Sequence, residues 1–112
     1  MLAITGAAKV FLYRDYINMQ KSFEGITALI EEAFPDLLLT GSFFVFLNRR
    51  RDRMKTLYWD RDGFVIWYKL LEKGTFSSKH KSNVSITRTE FFMLLEGIQP
   101  KRIQNRWKNM PE

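Results

Sequence analysis

The stretch NRRRDRMK crowds Arg49, Arg50, Arg51, Arg53 and Lys55 into one short segment. An arginine presents a planar fork of donors that matches phosphate oxygens, so several on one loop can hold successive phosphates of a nucleic-acid backbone. Charges this close repel one another, and without an anionic partner the cluster adds nothing to folding. The bland alternative is a solvated turn whose charges only discourage edge-to-edge aggregation. The distribution of charge favours a partner. Residues 1–47 carry three Lys/Arg against five Asp/Glu, whereas residues 48–112 carry fifteen against seven. A neutral-to-acidic front and a basic back fit a face that meets nucleic acid, an acidic protein or an anionic membrane. The pI near 9.8 agrees with the first of these.

Other chemistry is harder to assemble. Tyr58, Trp59, Trp67 and Tyr68 interleave with cations, and exposed rings on a sheet can stack on splayed bases. Strand alternation, however, groups Trp59 with Leu57, Trp67 with Val65 and Tyr68 with Ile66, so these three rings are expected in the core. Asp60 and Asp62 with Lys69 or Glu72 would be the components of a metal-dependent nuclease. Hard cations need more oxygen ligands than two turn residues supply, and DRDG is ordinary turn chemistry. His80 is the one histidine and sits in a polar stretch without nearby Asp or Cys, so neither a zinc site nor an activated nucleophile can be built on it. The chain has no cysteine and no glycine-rich phosphate loop. No catalytic residue, metal or cofactor is therefore expected.

The elements that would position the arginines can be read from periodicity. KVFLY (Lys9 to Tyr13) reads as a strand. NMQKSFEGITALIEEAF reads as a helix with Asn18 as N-cap and Met19, Phe23, Ile26, Ile30, Ala33 and Phe34 on one stripe, ended by Pro35. Ser42–Leu47, Met54–Trp59 and Phe64–Leu71 read as three antiparallel strands, with the arginines in the first turn and Asp60-Arg61-Asp62-Gly63 in the second. A short strand over Val84–Ile86 precedes a second helix opened by the capping box Thr87-Arg88-Thr89-Glu90, with Phe91, Leu94, Leu95 and Ile98 inward. The expected fold is α+β: one domain over residues 1–100, built as a twisted antiparallel meander with both helices on one side. Residues 101–112 are expected to be a basic, flexible tail whose cations include Arg102, Arg106 and Lys108. At 112 residues with 46% hydrophobic side chains, the chain can bury a core of its own. It shows no basic n-region leading into a long apolar run and no membrane-span-length apolar stretch, so it is expected to be cytoplasmic, without a membrane partner.

Four blocks occur in order with family-like spacing: RRRDR, LYWD, GF-x-x-WYK-x-LE-x-G-x-F, and the late T-x-x-E-x-x-x-LLEGI helix. Together with NMQKSFEGITALIEEAF they resemble the small accessory proteins called TnpB, or Orf-two, of the insertion-sequence-66 class of bacterial transposable elements, from about Val10 to about Arg102. Two departures stand out. The family usually has Asp-Gly-Asp-Gly where this chain has Asp60-Arg61-Asp62-Gly63, and often Asp-Met-Arg-Lys where it has Asn18-Met19-Gln20-Lys21. The resemblance implies a part in transposition beside a separate transposase, which performs strand transfer, and implies no catalytic residues. With the basic patch, it points to a non-catalytic factor that binds element-end DNA through Arg49, Arg50, Arg51, Arg53, Lys55, Arg102, Arg106 and Lys108. Its other partners would be the transposase and the other accessory protein of the same element, at the bacterial nucleoid. The competing expectation is an adaptor that docks on the transposase without touching DNA.

Overall fold

A computed structural model describes residues 8–76 and 82–96. In chain order the elements are β1 (Val10–Tyr16), α1 (Phe23–Ala33), β2 (Phe43–Leu47), β3 (Arg53–Asp60), β4 (Gly63–Leu70), β5 (Val84–Ile86) and α2 (Arg88–Leu95). The strands form one five-stranded sheet in the order β4-β3-β2-β1-β5. Three antiparallel strands run from β2 to β4 as the sequence predicts. β1 lies parallel to β2, with Val10 opposite Phe43 and Leu12 opposite Val45, and a parallel neighbour requires a crossover, which α1 makes. β5 closes the other edge of β1 antiparallel, with Val10 opposite Ile86.

The α+β class stands, but the expectation of two helices on one side does not. β2 reads FFVFL, and all five of its residues are buried. Successive side chains on a strand point to opposite faces, so a wholly apolar central strand needs cover on both. Phe44 and Phe46 pack with Ile26, Ile30 and Phe34 of the α1 region, together with Ile17 and Leu57. Phe43, Val45 and Leu47 pack with Phe91, Leu94 and Leu95 of α2, together with Val10, Leu12, Met54, Phe76 and Ile86. The helices thus cover opposite faces of one sheet.

The caps separate a right expectation from a wrong one. At α2 the box forms in full: Thr87 Oγ1 accepts from the Glu90 amide and Glu90 Oε1 accepts from the Thr87 amide, both at 3.0 Å. At α1 the N-cap position falls on Ser22, not Asn18. Asn18 Oδ1 instead accepts from the Gln20 amide at 2.8 Å, a local turn that competes with helix entry and delays it by one turn. Phe23, expected inward, therefore opens the helix and remains 46% exposed. Residues 77–81 of the polar loop expected over Ser77 to Asn83, His80 among them, and everything from residue 97 onward lie outside the described residues; that covers Ile98, the tail, Arg102, Arg106 and Lys108.

One buried polar group in the middle of the sheet has no hydrogen-bond partner among the described residues. Thr56 is fully buried between Val45 on β2 and Trp67 on β4, and among the described residues its hydroxyl makes no hydrogen bond. A buried hydroxyl left unpaired costs about 1–3 kcal/mol, while a methyl of the same size loses nothing there. Thr56→Val should therefore raise stability by roughly 1 kcal/mol, which at roughly 4–8 °C per kcal/mol is a clear upward shift in Tm by calorimetry. A lowered Tm would show that the hydroxyl has a partner.

Candidate nucleic-acid interface

The arginine loop joins β2 to β3, and Asn48 organises it. Its Oδ1 accepts from the amides of Asp52 at 3.1 Å and Arg53 at 3.0 Å, and its Nδ2 donates to Asp52 Oδ1 at 2.7 Å. Its own amide and carbonyl pair with the Arg53 carbonyl and the Arg51 amide, at 3.2 and 3.0 Å. One side chain thus replaces much of the ladder that the strands lose where they part. Arg51 sits at φ 58°, a left-handed conformation that costs a residue with a Cβ about 1–2 kcal/mol. Its carbonyl accepts from the amide of fully buried Phe76 at 2.6 Å, and the Asp52 carbonyl accepts from Leu71 at 2.8 Å. The loop is therefore tied to the α2-side core through its backbone, rather than being the free hairpin tip that the sequence suggests.

The side chains turn outward from that frame. Arg49, Arg50 and Arg53 are exposed and Arg51 is half-buried. Among the described residues none of the four is in an ion pair. Asp52 is the one carboxylate of the loop, and its hydrogen bond from Asn48 holds it below the ordinary carboxylate value, with the Arg50 and Arg53 charges adding to the effect. Facing the loop across an open cleft of about 530 Å³ are Ile17, Asn18, Met19 and Gln20, and Tyr68 of β4 also lines it.

Lys55 and Tyr68 are not where the sequence places them. Lys55, expected among the outward contacts, is only 9% exposed. Its ammonium donates to the Lys21 carbonyl at 2.8 Å and stands over the Tyr68 ring, 5.0 Å from the centroid, so its charge is engaged within the fold. Tyr68, expected in the core, is 46% exposed, and its hydroxyl accepts from Arg53 Nη1 at 3.1 Å. Register explains both. Tyr68 lies opposite Lys55 and Leu70 opposite Arg53, on the α1 face, but at the end of the hairpin that α1 leaves uncovered. Of the other rings, Trp67 packs against the α2-side core, and half-buried Trp59 meets Phe64 edge-on at 5.0 Å.

The acidic turn lies elsewhere. Asp60 pairs with Gly63 around a two-residue reversal, with Arg61 at φ 57°. Seven residue steps along β3, at roughly 3.4 Å each, put Asp60 roughly 24 Å from Arg53. Glu72 follows Leu71, whose amide bonds the arginine loop. Asp60 and Asp62 are thus at one end of the hairpin and Glu72 at the other, too far apart to share a metal. Lys69, the other component of that reading, donates to the Leu95 carbonyl at 2.6 Å.

The description that matches the chain as a family model is "IS66 Orf2 like protein", over residues 8–105. The chain belongs to the IS66 Orf2-like family. Membership suggests an accessory part in the transposition of IS66-type elements. Two curated relatives, both from Sinorhizobium fredii, are uncharacterized. The protein y4jC is 24% identical across 95% of this chain and 92% of its own length, and y4hO is 24% identical across 89% of each. No solved structure is a significant match. The family match spans the arginine loop, the cleft and both helices, so the frame built by Asn48 falls within the shared region.

The clamp has a pH signature. With the folded value of Asp52 depressed, its contribution to loop order is present above the ordinary aspartate range and is lost as pH falls through the folded value. In an NMR titration the Asp52 and Arg53 amides should report a midpoint below the ordinary value of about 3.9. Asn48→Ala should move that midpoint upward. An unchanged midpoint in the variant would assign the depression to the arginines alone.

Proposed function

We propose that this IS66 Orf2-like protein is a non-catalytic accessory factor of transposition that grips element-end DNA through Arg49, Arg50, Arg51 and Arg53. The observation that carries this reading is the loop itself: four arginines against one carboxylate, held on a hydrogen-bonded frame, with the side chains outside any ion pair among the described residues. A rigid frame lowers the ordering cost of presenting several guanidinium forks together, and each fork suits a phosphate. Lys55 belongs to the support of this surface. Arg102, Arg106 and Lys108 extend the basic patch in sequence and would add sequence-independent phosphate contacts. The reading implies a cytoplasmic protein at the nucleoid, working beside the transposase and the other accessory protein of the element.

A second surface favours a protein contact. Glu24, Glu31 and Glu32 of α1 are exposed, and Phe23 at its start is half-exposed, so α1 offers acidic side chains with an exposed apolar ring at its first turn. Docking of the transposase there is compatible with DNA held by the loop.

Ionic strength tests the DNA reading. The log of affinity for duplex element-end DNA should fall linearly with the log of salt concentration, and Arg49→Ala/Arg50→Ala should make the slope shallower by roughly two units, at about one per lost phosphate contact. Tm should hardly change, since both side chains are exposed and their mutual repulsion is relieved. A salt-insensitive affinity, or a slope unchanged in the double variant, would refute the assignment and leave the adaptor reading.

A further inference from the structure

The DNA reading accounts for the arginines but leaves the cleft beside them, with its half-exposed aromatic ring, without a use. We propose that this cleft seats one unpaired nucleotide of the DNA, with the base stacked on Tyr68 and the flanking phosphates held by Arg49 and Arg50; the inference rests on the DNA-binding reading of the same loop.

Tyr68 is fixed from two directions. Its hydroxyl accepts from Arg53 at 3.1 Å, and the Lys55 ammonium stands over its ring at 5.0 Å, itself held by the Lys21 carbonyl. A tyrosine has few torsions to lose, and here they are already constrained, so little order remains to be imposed when a flat ligand stacks on it. Arg49, Arg50 and Arg53 line the same cleft as the ring, which puts anion donors and a π surface around one space. That space, about 530 Å³, lies within the range of roughly 300–1,000 Å³ typical of small-ligand sites. On the opposite wall Ile17 and Met19 supply apolar surface, and the exposed side chain of Gln20 brings an amide that can meet a base edge.

The combination selects the state of the DNA. A continuous duplex hides its base faces in the stack and shows the protein only phosphates and groove edges, so it can use the arginines but not Tyr68. An unpaired nucleotide, at an overhang or a frayed end, offers a base face and a flexible phosphate path together. The site is thus suited to the junction between duplex and single strand.

Fluorescence anisotropy with two labelled probes, a blunt duplex and the same duplex with a short single-stranded overhang, tests this. The wild-type protein should bind the overhang probe more tightly. Tyr68→Leu, which removes the ring but keeps apolar bulk, should weaken overhang binding by about 5- to 150-fold more than it weakens blunt-duplex binding, the range for loss of one stacked base, whereas release of Arg53 from the Tyr68 hydroxyl acts on both probes alike. Tyr68→Phe should keep most of the overhang preference, and Arg49→Ala/Arg50→Ala should weaken both probes. The blunt duplex also serves as the folding control for the Tyr68 variants. Equal affinity of the wild type for the two probes, no effect of Tyr68→Leu, or equal losses on both probes would overturn the nucleotide seat while the DNA reading stands. Failure of the wild type to bind either probe would overturn both.

Discussion

The fold depends on the need to cover β2 on both faces. A strand with five apolar side chains cannot be solvated on either side, so it takes the centre of the sheet, with β1 and β3 as neighbours and a helix above and below. Four phenylalanine rings show how that cover is made on the α1 side: Phe11 and Phe34 close on Phe44 at 5.6 and 5.4 Å and on each other at 5.2 Å, while Tyr13 tilts against Phe46 at 5.2 Å. On the other face Phe43 meets Tyr58 at 4.6 Å and Phe91 edge-on at 6.3 Å. Because β2 is immobilised from both sides, the chain that leaves it at Leu47 starts from a fixed point. The residue at that exit is Asn48.

That exit is where packing gives way to electrostatics. Four arginines in five positions would open a loop held only by its ends. The Asn48 side chain closes it with three hydrogen bonds, Asp52 supplies one compensating charge, and the backbone bonds to Leu71 and Phe76 fasten the loop to the hairpin and to the α2-side core. The repulsion is thereby borne by the frame, and the guanidinium groups stay in solvent where an anion can reach them. Arg51 shows the limit of the arrangement: its left-handed backbone and half-buried side chain make it the member most committed to the frame.

What was legible in the sequence was local. The box at Thr87 and Glu90, the reversal at Asp60 to Gly63 and the strand at Val84–Ile86 each depend on residues within a few positions, and all formed as read. The run FFVFL was read only as an apolar strand, with both helices on one side; its cover on both faces follows from its central place in the sheet and from the β1-α1-β2 crossover, long-range properties that periodicity does not carry. Asn18 and Ser22 are both residue types found at N-caps, and Asn18 spends its side chain on a turn bond to Gln20, while Ser22 occupies the N-cap position without a side-chain cap bond. Tyr68 has the same alternation as Ile66, yet it is exposed because α1 does not extend over that end of the hairpin; the extent of a neighbour cannot be read from a strand's own pattern. Of the site, the arginines were visible and the cleft was not, since its walls come from segments about thirty residues apart in the chain that tertiary packing alone brings together.

The cations of the hairpin are sorted by chemistry. Lys55 and Lys69 sit on opposite faces of β3 and β4, and each sends a compact ammonium on a long stem to a backbone carbonyl next to a helix, at Lys21 ahead of α1 and at Leu95, the last residue of α2. The second contact is helped by the negative end of the α2 dipole, where the helix has no basic residue of its own. The first has no such help, because the start of a helix is its positive end, and the Tyr68 ring offsets this by offering its π face to the same ammonium. Lysine suits both places, since a point charge can satisfy a single carbonyl in a narrow space, whereas an arginine fork would be left with unpaired donors. Arginine holds the opposite place, at the loop, where several donors on a flat group gain from meeting several oxygens. The hairpin therefore uses one kind of cation to tie the two helices to the sheet and the other to face outward, and the two meet at Tyr68, which Lys55 and Arg53 share.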